Sequence, residues 1–92
     1  MQWCVMAYNG QVDRANAIRL LKALAAAGAN SNTLMANAWV HDIGLKDASL
    51  RGTELSSALA YAEGQGWIAD GPRKGWMTIT RAGESATRLR VV

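Results

Sequence analysis

Ninety-two residues, half of them apolar and 18% charged, suffice for one modest core but not two, and argue against a disordered tail. A formal charge of +3, with an isoelectric point near 9.5, tilts the chain towards an anionic partner without selecting one. The single cysteine, Cys4, excludes an internal disulfide and paired-cysteine metal spacing, and no apolar run approaches the roughly 18 residues of a membrane span, so a reducing cytoplasmic setting is expected.

Residues 1–10, MQWCVMAYNG, form an apolar N-terminal segment that reads as a strand or as the first turns of a helix. The turn dipeptide Asn9-Gly10 closes it either way. It lacks the charged start and long apolar stretch of a secretory signal. As a strand it would add to a sheet or pair with another subunit. Trp3 is then the candidate for a homodimer contact, set against simple core packing.

Residues 11–66 read as a helical core. The first helix is expected from Gln11 or Asp13 to Ala27, with Asp13 as N-cap and Gly28 as C-terminal cap. Ala17, Leu20, Leu21 and Leu24 share one face, and Arg19 and Lys22 the other. A loop over 28–32 follows, with Asn32 or Thr33 able to cap a second helix from about Thr33 to Ile43. Its apolar face is Met35, Ala36, Trp39, Val40 and Ile43, with Asn37 and His41 opposite and Gly44 as the stop. A third helix carries Leu55, Ala58, Leu59 and Ala62 as one apolar stripe and ends at Gly64 and Gly66. Two starts are open to it, Ser49 and Thr53. The earlier is favoured because helix-turn-helix connections run to three or four residues, at the cost of placing Gly52 inside the helix.

Residues 67–80 are expected to form a hairpin. Trp67-Ile68-Ala69 and Trp76-Met77-Thr78-Ile79-Thr80 are aromatic or β-branched runs, and the turn between them, Asp70 to Gly75, holds Pro72, Arg73 and Lys74. Trp67 and Trp76 are candidates for a cross-strand pair; an exposed one would stack on a base or mark a protein interface. Trp39 is expected in the core. Residues 81–92 leave the sheet as a tail or a short helical turn, with Arg88 and Arg90 exposed.

The passage Ala58-Leu59-x-x-Ala62-x-x-x-Gly66-Trp67-Ile68, followed by Met77-Thr78-Ile79-Thr80-Arg81-Ala82-Gly83, resembles the winged helix-turn-helix family over about Asp13 to Glu84. The resemblance implies an α+β fold with a three-helix core, a two-stranded wing and room for an extra N-terminal strand. It implies a third helix, near Ser49 to Tyr61, that enters the major groove of double-stranded DNA. The wing loop Gly71 to Gly75 would touch the backbone. The function expected on that basis is DNA binding as a small transcriptional regulator, with a protein–protein module of the same fold as the alternative.

Arg73 and Lys74 at a hairpin tip are placed to reach phosphates, where most protein–DNA hydrogen bonds go, with a solvated turn kept soluble by two charges as the alternative. Thr53, Ser57 and Tyr61 line the third helix opposite its apolar stripe, together with Ala60, and Lys46 and Arg51 stand near its entrance. Glu54 and Glu63 would repel phosphate. A continuous patch joining Lys46, Arg51, Arg73 and Lys74 would favour DNA, whereas an exposed apolar patch with Trp67 or Trp76 would favour a protein. No enzyme activity, metal or cofactor is expected. His41 and Asp42 are helix neighbours about 100° apart and not an oriented pair, one His and one Cys cannot anchor a metal, and no nucleotide-binding glycine pattern occurs.

Overall fold

The computed structural model describes residues 2–88, with side chains from residue 12 onward. It is an α+β arrangement of four helices and a small three-stranded antiparallel sheet. In chain order these are α1 (Gln2–Ala26), β1 (Leu34–Ala36), α2 (Asn37–Lys46), α3 (Thr53–Gly64), β2 (Ile68–Asp70), β3 (Trp76–Ile79) and α4 (Arg81–Ala86).

Helix α1 starts earlier than its sequence suggests. It runs unbroken through Asn9-Gly10, and Asp13 lies inside it and not at its N-cap. A glycine inside a helix costs about 1 kcal/mol, which an established helix tolerates because each further residue adds a hydrogen bond. Asn-Gly is a strong turn signal between two strands, and here no strand flanks it. The N-terminal strand is therefore absent; the side chain of Trp3, with its subunit contact, lies outside the described residues. The C-terminal end is as expected. Gly28 has φ +102°, and the N–H groups of Gly28 and Ala29 donate to Ala25 and Leu24 at 3.0 Å.

The segment after α1 departs most from expectation. Thr33 does not cap a helix; its hydroxyl donates to Asn30 Oδ1 at 3.2 Å and accepts from the Asn30 N–H at 3.2 Å. Leu34 to Ala36 then form a strand, and α2 begins at Asn37 with no side-chain cap. Pairing with β3 decides this: Leu34 opposes Thr78, Met35 opposes Met77, and Ala36 opposes Trp76. On the other side of β3, Ile68 opposes Ile79 and Asp70 opposes Met77, giving the order β1-β3-β2. Met35, Met77, Ile79 and Ile68 turn into the core.

Gly44 does not stop α2, which continues to Lys46. It is buried, and a Cβ there would stand 2.5 Å from Leu55 Cδ1, so its lack of a side chain lets α2 approach α3. The connection to α3 is long because α3 starts at Thr53, the later of the two candidate starts. Ser49 has φ +57°, a left-handed conformation that cannot open a right-handed helix. Leu50 and Ala48 are buried from this connection, and the Arg19 guanidinium donates to the Ala48 carbonyl at 2.8 Å, which fixes its path.

The face Ala17, Leu20, Leu21 and Leu24 of α1 is fully buried, as its spacing requires, and meets the stripe Leu55, Ala58, Leu59 and Ala62 of α3. Val40 joins this cluster, while Trp39 and Ile43 are half-buried against it. The chain after the hairpin forms α4, capped by Thr80, whose Oγ1 accepts from the Gly83 N–H at 3.0 Å.

Candidate nucleic-acid interface

The hairpin turn is closed by two backbone bonds, Gly71 N–H to Trp76 O at 2.8 Å and Trp76 N–H to Arg73 O at 3.2 Å. Gly75 takes φ +90°, which an L side chain would resist. The Asn37 N–H, at the start of α2, donates to the Gly75 carbonyl at 3.0 Å. The tip is thus tied to a helix end and does not hang free. Arg73 and Lys74 are exposed on it.

A recess of about 460 Å³ runs beneath the tip, and Asn37, Glu63, Asp70, Arg73, Lys74 and Trp76 are among its lining residues. The two carboxylates make no ion pair with the two cations; among the described residues the one ion pair is Lys46 with Asp42, at 3.3 Å on the surface of α2. Exposed pairs of that kind contribute little. This surface is electrostatically mixed.

Of the third-helix candidates, Thr53 is exposed, and Ser57 is half-buried. Tyr61 is half-buried too, its ring edge-on to Trp67 with centroids 5.7 Å apart and planes at 62°. The exposed face of α3 is Thr53, Glu54, Ser56, Ala60 and Glu63. Glu54 serves the helix start, where its Oε1 accepts from the Arg51 N–H at 3.3 Å.

The cations fall into two groups. The wing residues stand at the N-terminal end of α2, held there by the Asn37–Gly75 bond, whereas Lys46 closes the same ten-residue helix. That helix length separates the two ends by about 14 Å. Arg51 follows Lys46 in the chain, in the connection to α3.

The two hairpin tryptophans do not face each other. The Trp67 carbonyl accepts from the Thr80 N–H at 2.9 Å, and the Trp76 carbonyl from Gly71, so they sit at opposite ends of the ladder. Trp67 is half-buried. Trp76 is 41% exposed and Leu34 is 50% exposed, on the sheet face turned from the core. Together with Pro72 and Arg73 they line a recess of about 300 Å³. Sequence reasoning named Trp76 as a candidate but not Leu34, because β1 was read as part of a helix.

Among the described residues no cluster of three His, Cys, Asp or Glu side chains could hold a metal, and no helix is long and apolar enough to cross a membrane. His41 is exposed on α2. Comparison with protein-family models, curated proteins and solved structures finds no match.

Proposed function

We propose that this chain is a winged helix-turn-helix domain that binds double-stranded DNA, with the β2–β3 hairpin as its wing. The element order helix, strand, helix, helix, strand, strand and the sheet order β1-β3-β2 support that reading of the fold. The observation that carries the function is the pair Arg73 and Lys74, exposed on a tip that is anchored to the start of α2. Two cations on a fixed hairpin suit backbone phosphates.

In this reading α3 lies in the major groove and presents Thr53, Ser56 and Ala60. Those short side chains allow close approach but offer few of the bidentate contacts that separate one base pair from another. Most of the affinity then comes from phosphates, and Lys46 and Arg51 supply a second point of attachment near the α3 entrance. The protein acts as a small non-enzymatic transcriptional regulator in the cytoplasm, and as a homodimer it reads half-sites one helical turn apart. Glu54 and Glu63 set a limit on how deeply α3 inserts. A second reading, contact with another protein, is favoured by the exposed Trp76 and Leu34.

The test is fluorescence anisotropy of a labelled random duplex at about 50 and 200 mM salt, with wild type beside the Arg73→Ala/Lys74→Ala double variant. Binding that weakens steeply with salt, and less steeply in the variant, supports a phosphate-contacting wing. Equal slopes would remove the wing from the interface, and no binding at the lower salt would remove duplex DNA as a general ligand.

A further inference from the structure

We infer that the recess formed by Leu34, Pro72, Arg73 and Trp76 is a docking site for a short acidic peptide segment carrying one large aliphatic anchor. The inference rests on the second reading, contact with another protein, and shares Arg73 with the DNA reading. It begins with strand register. Leu34 opposes Thr78 and Ala36 opposes Trp76, so all four side chains share the outward face of the sheet, and Leu34 and Trp76 are diagonal neighbours on it. Diagonal positions lie about 7–8 Å apart, within reach of an indole. The inner face is spent on the core through Met35 and Met77. On the outer face Thr78 and Ala36 are half-buried, with the Thr78 hydroxyl donating to the Ser31 carbonyl at 3.3 Å, while Leu34 and Trp76 are exposed.

The platform is built by glycines. A Cβ on Gly71 would lie 3.0 Å from Trp76 Cβ and 3.2 Å from the Trp76 carbonyl oxygen, so a side chain there would push the turn a few tenths of an ångström away from the tryptophan. Pro72 then follows with its φ fixed by its ring. An aromatic residue between a locked turn and a paired strand loses little entropy when a ligand settles on it, which is what an anchor site needs.

Size and charge select the occupant. About 300 Å³ is at the lower bound of ligand sites and suits one large side chain. Arg73 is the one titratable group lining this recess; it also lines, with Pro72 and Trp76, the neighbouring recess that holds Glu63 and Asp70, and among the described residues it makes no ion pair with either carboxylate. A carboxylate next to the anchor would pair with the guanidinium in a forked geometry. A second copy joined by the same face would bring Arg73 towards Arg73. A single nucleic-acid strand needs a row of cations along its backbone, and this face supplies one.

The experiment is an amide NMR titration of the 15N-labelled chain with acetyl-Asp-Glu-Leu-Glu-Asp-amide, and with a version in which every acidic residue is lysine. Saturable shifts at Leu34, Arg73 and the Trp76 indole N–H are expected, with the lysine peptide at least about tenfold weaker. Arg73→Glu should reverse that order. Trp76→Ala should weaken the acidic peptide about tenfold or more while the rest of the spectrum stays folded, since the side chain is outside the core. Equal binding of the two peptides, no saturable shift, tighter binding of oligo(dT) at these residues, or shifts produced by protein concentration alone would each overturn it. Lys74→Ala separates the two readings, because it weakens duplex DNA if the wing binds phosphate and leaves the acidic peptide unchanged.

Discussion

Gly83, in the first turn of α4, rests against the backbone of Trp67 so closely that a Cβ there would overlap the Trp67 carbonyl oxygen and lie 2.7 Å from Ile79 Cγ2. The obstacle is backbone held by the sheet, since the same carbonyl accepts the Thr80 N–H at 2.9 Å. Gly83→Ala should therefore cost about 1–3 kcal/mol in urea unfolding despite alanine's better helix propensity. Gly64, at the end of α3 with open space around its missing Cβ, is the control. Gly64→Ala should be neutral or stabilising by about 0.5–1 kcal/mol. Equal effects at the two sites would mean that the α4–Trp67 contact is looser than described.

Gly44 faces a softer obstacle, the end of the Leu55 side chain at 2.5 Å, with Leu20 Cδ1 at 3.3 Å. Gly44→Ala should cost about 1 kcal/mol, less than Gly83→Ala, because a leucine can change rotamer where a carbonyl cannot. The coupling can be isolated in a double-mutant cycle. In a Leu55→Ala background the same substitution should cost clearly less, and additive costs would show that the two positions do not touch.

Thr80 joins three segments through one side chain. Its hydroxyl donates to the Gly66 carbonyl and accepts from the Gly83 N–H, so it ties the end of α3 to the hairpin and caps α4. Thr80→Ala should lower stability by about 1–2 kcal/mol, the usual scale of a lost cap. Thr80→Ser, which keeps the hydroxyl, should recover most of it. A serine variant as unstable as the alanine would assign the effect to the methyl group instead.

The separation of the cations leads to a quantitative expectation for the proposed DNA complex. Each phosphate contact contributes about 0.9 to the slope of log affinity against log salt, so Arg73→Ala/Lys74→Ala should reduce the slope by about 2. Lys46→Ala/Arg51→Ala should reduce it independently, and the quadruple variant should show the sum, because Lys46 closes α2 at the end away from the wing and Arg51 lies beyond it in the connection to α3. Non-additive slopes would indicate one shared phosphate cluster.

Much of the core was legible because α1 and α3 carry strict helical spacing, and Ala17, Leu20, Leu21, Leu24, Leu55 and Leu59 fall where it puts them. The hairpin was legible from Gly71, Pro72 and Gly75. Strand β1 was not. Met35, Ala36, Trp39, Val40 and Ile43 also fit a helix, and only pairing with a strand far along the chain separates Met35 from the helix that follows. Gly44 was read as a stop because its local preference is visible while the neighbour that needs its smallness, Leu55, is not. At the candidate site the charges of Arg73 and Lys74 could be read directly, but Tyr61 could not be seen turning onto Trp67, and Leu34 became an exposed residue only once its strand was known.

The pairing of Met35 with Met77 also bears on the order in which the molecule assembles. Helices α1, α2 and α3 are complete in the growing chain before β3 exists, yet β3 is the middle strand and both others hydrogen-bond only to it. Until residues 76–79 emerge, Met35 and Ile68 have no sheet to cover them, and apolar surface stays open to water. Contacts this distant in sequence pay their loop-closure entropy late. The sheet can therefore close only when β3 pairs with both of its neighbours, with Thr80 and Gly83 following directly behind it. Substitutions in that last stretch should act first on the yield of folded protein in cells, ahead of any effect on binding.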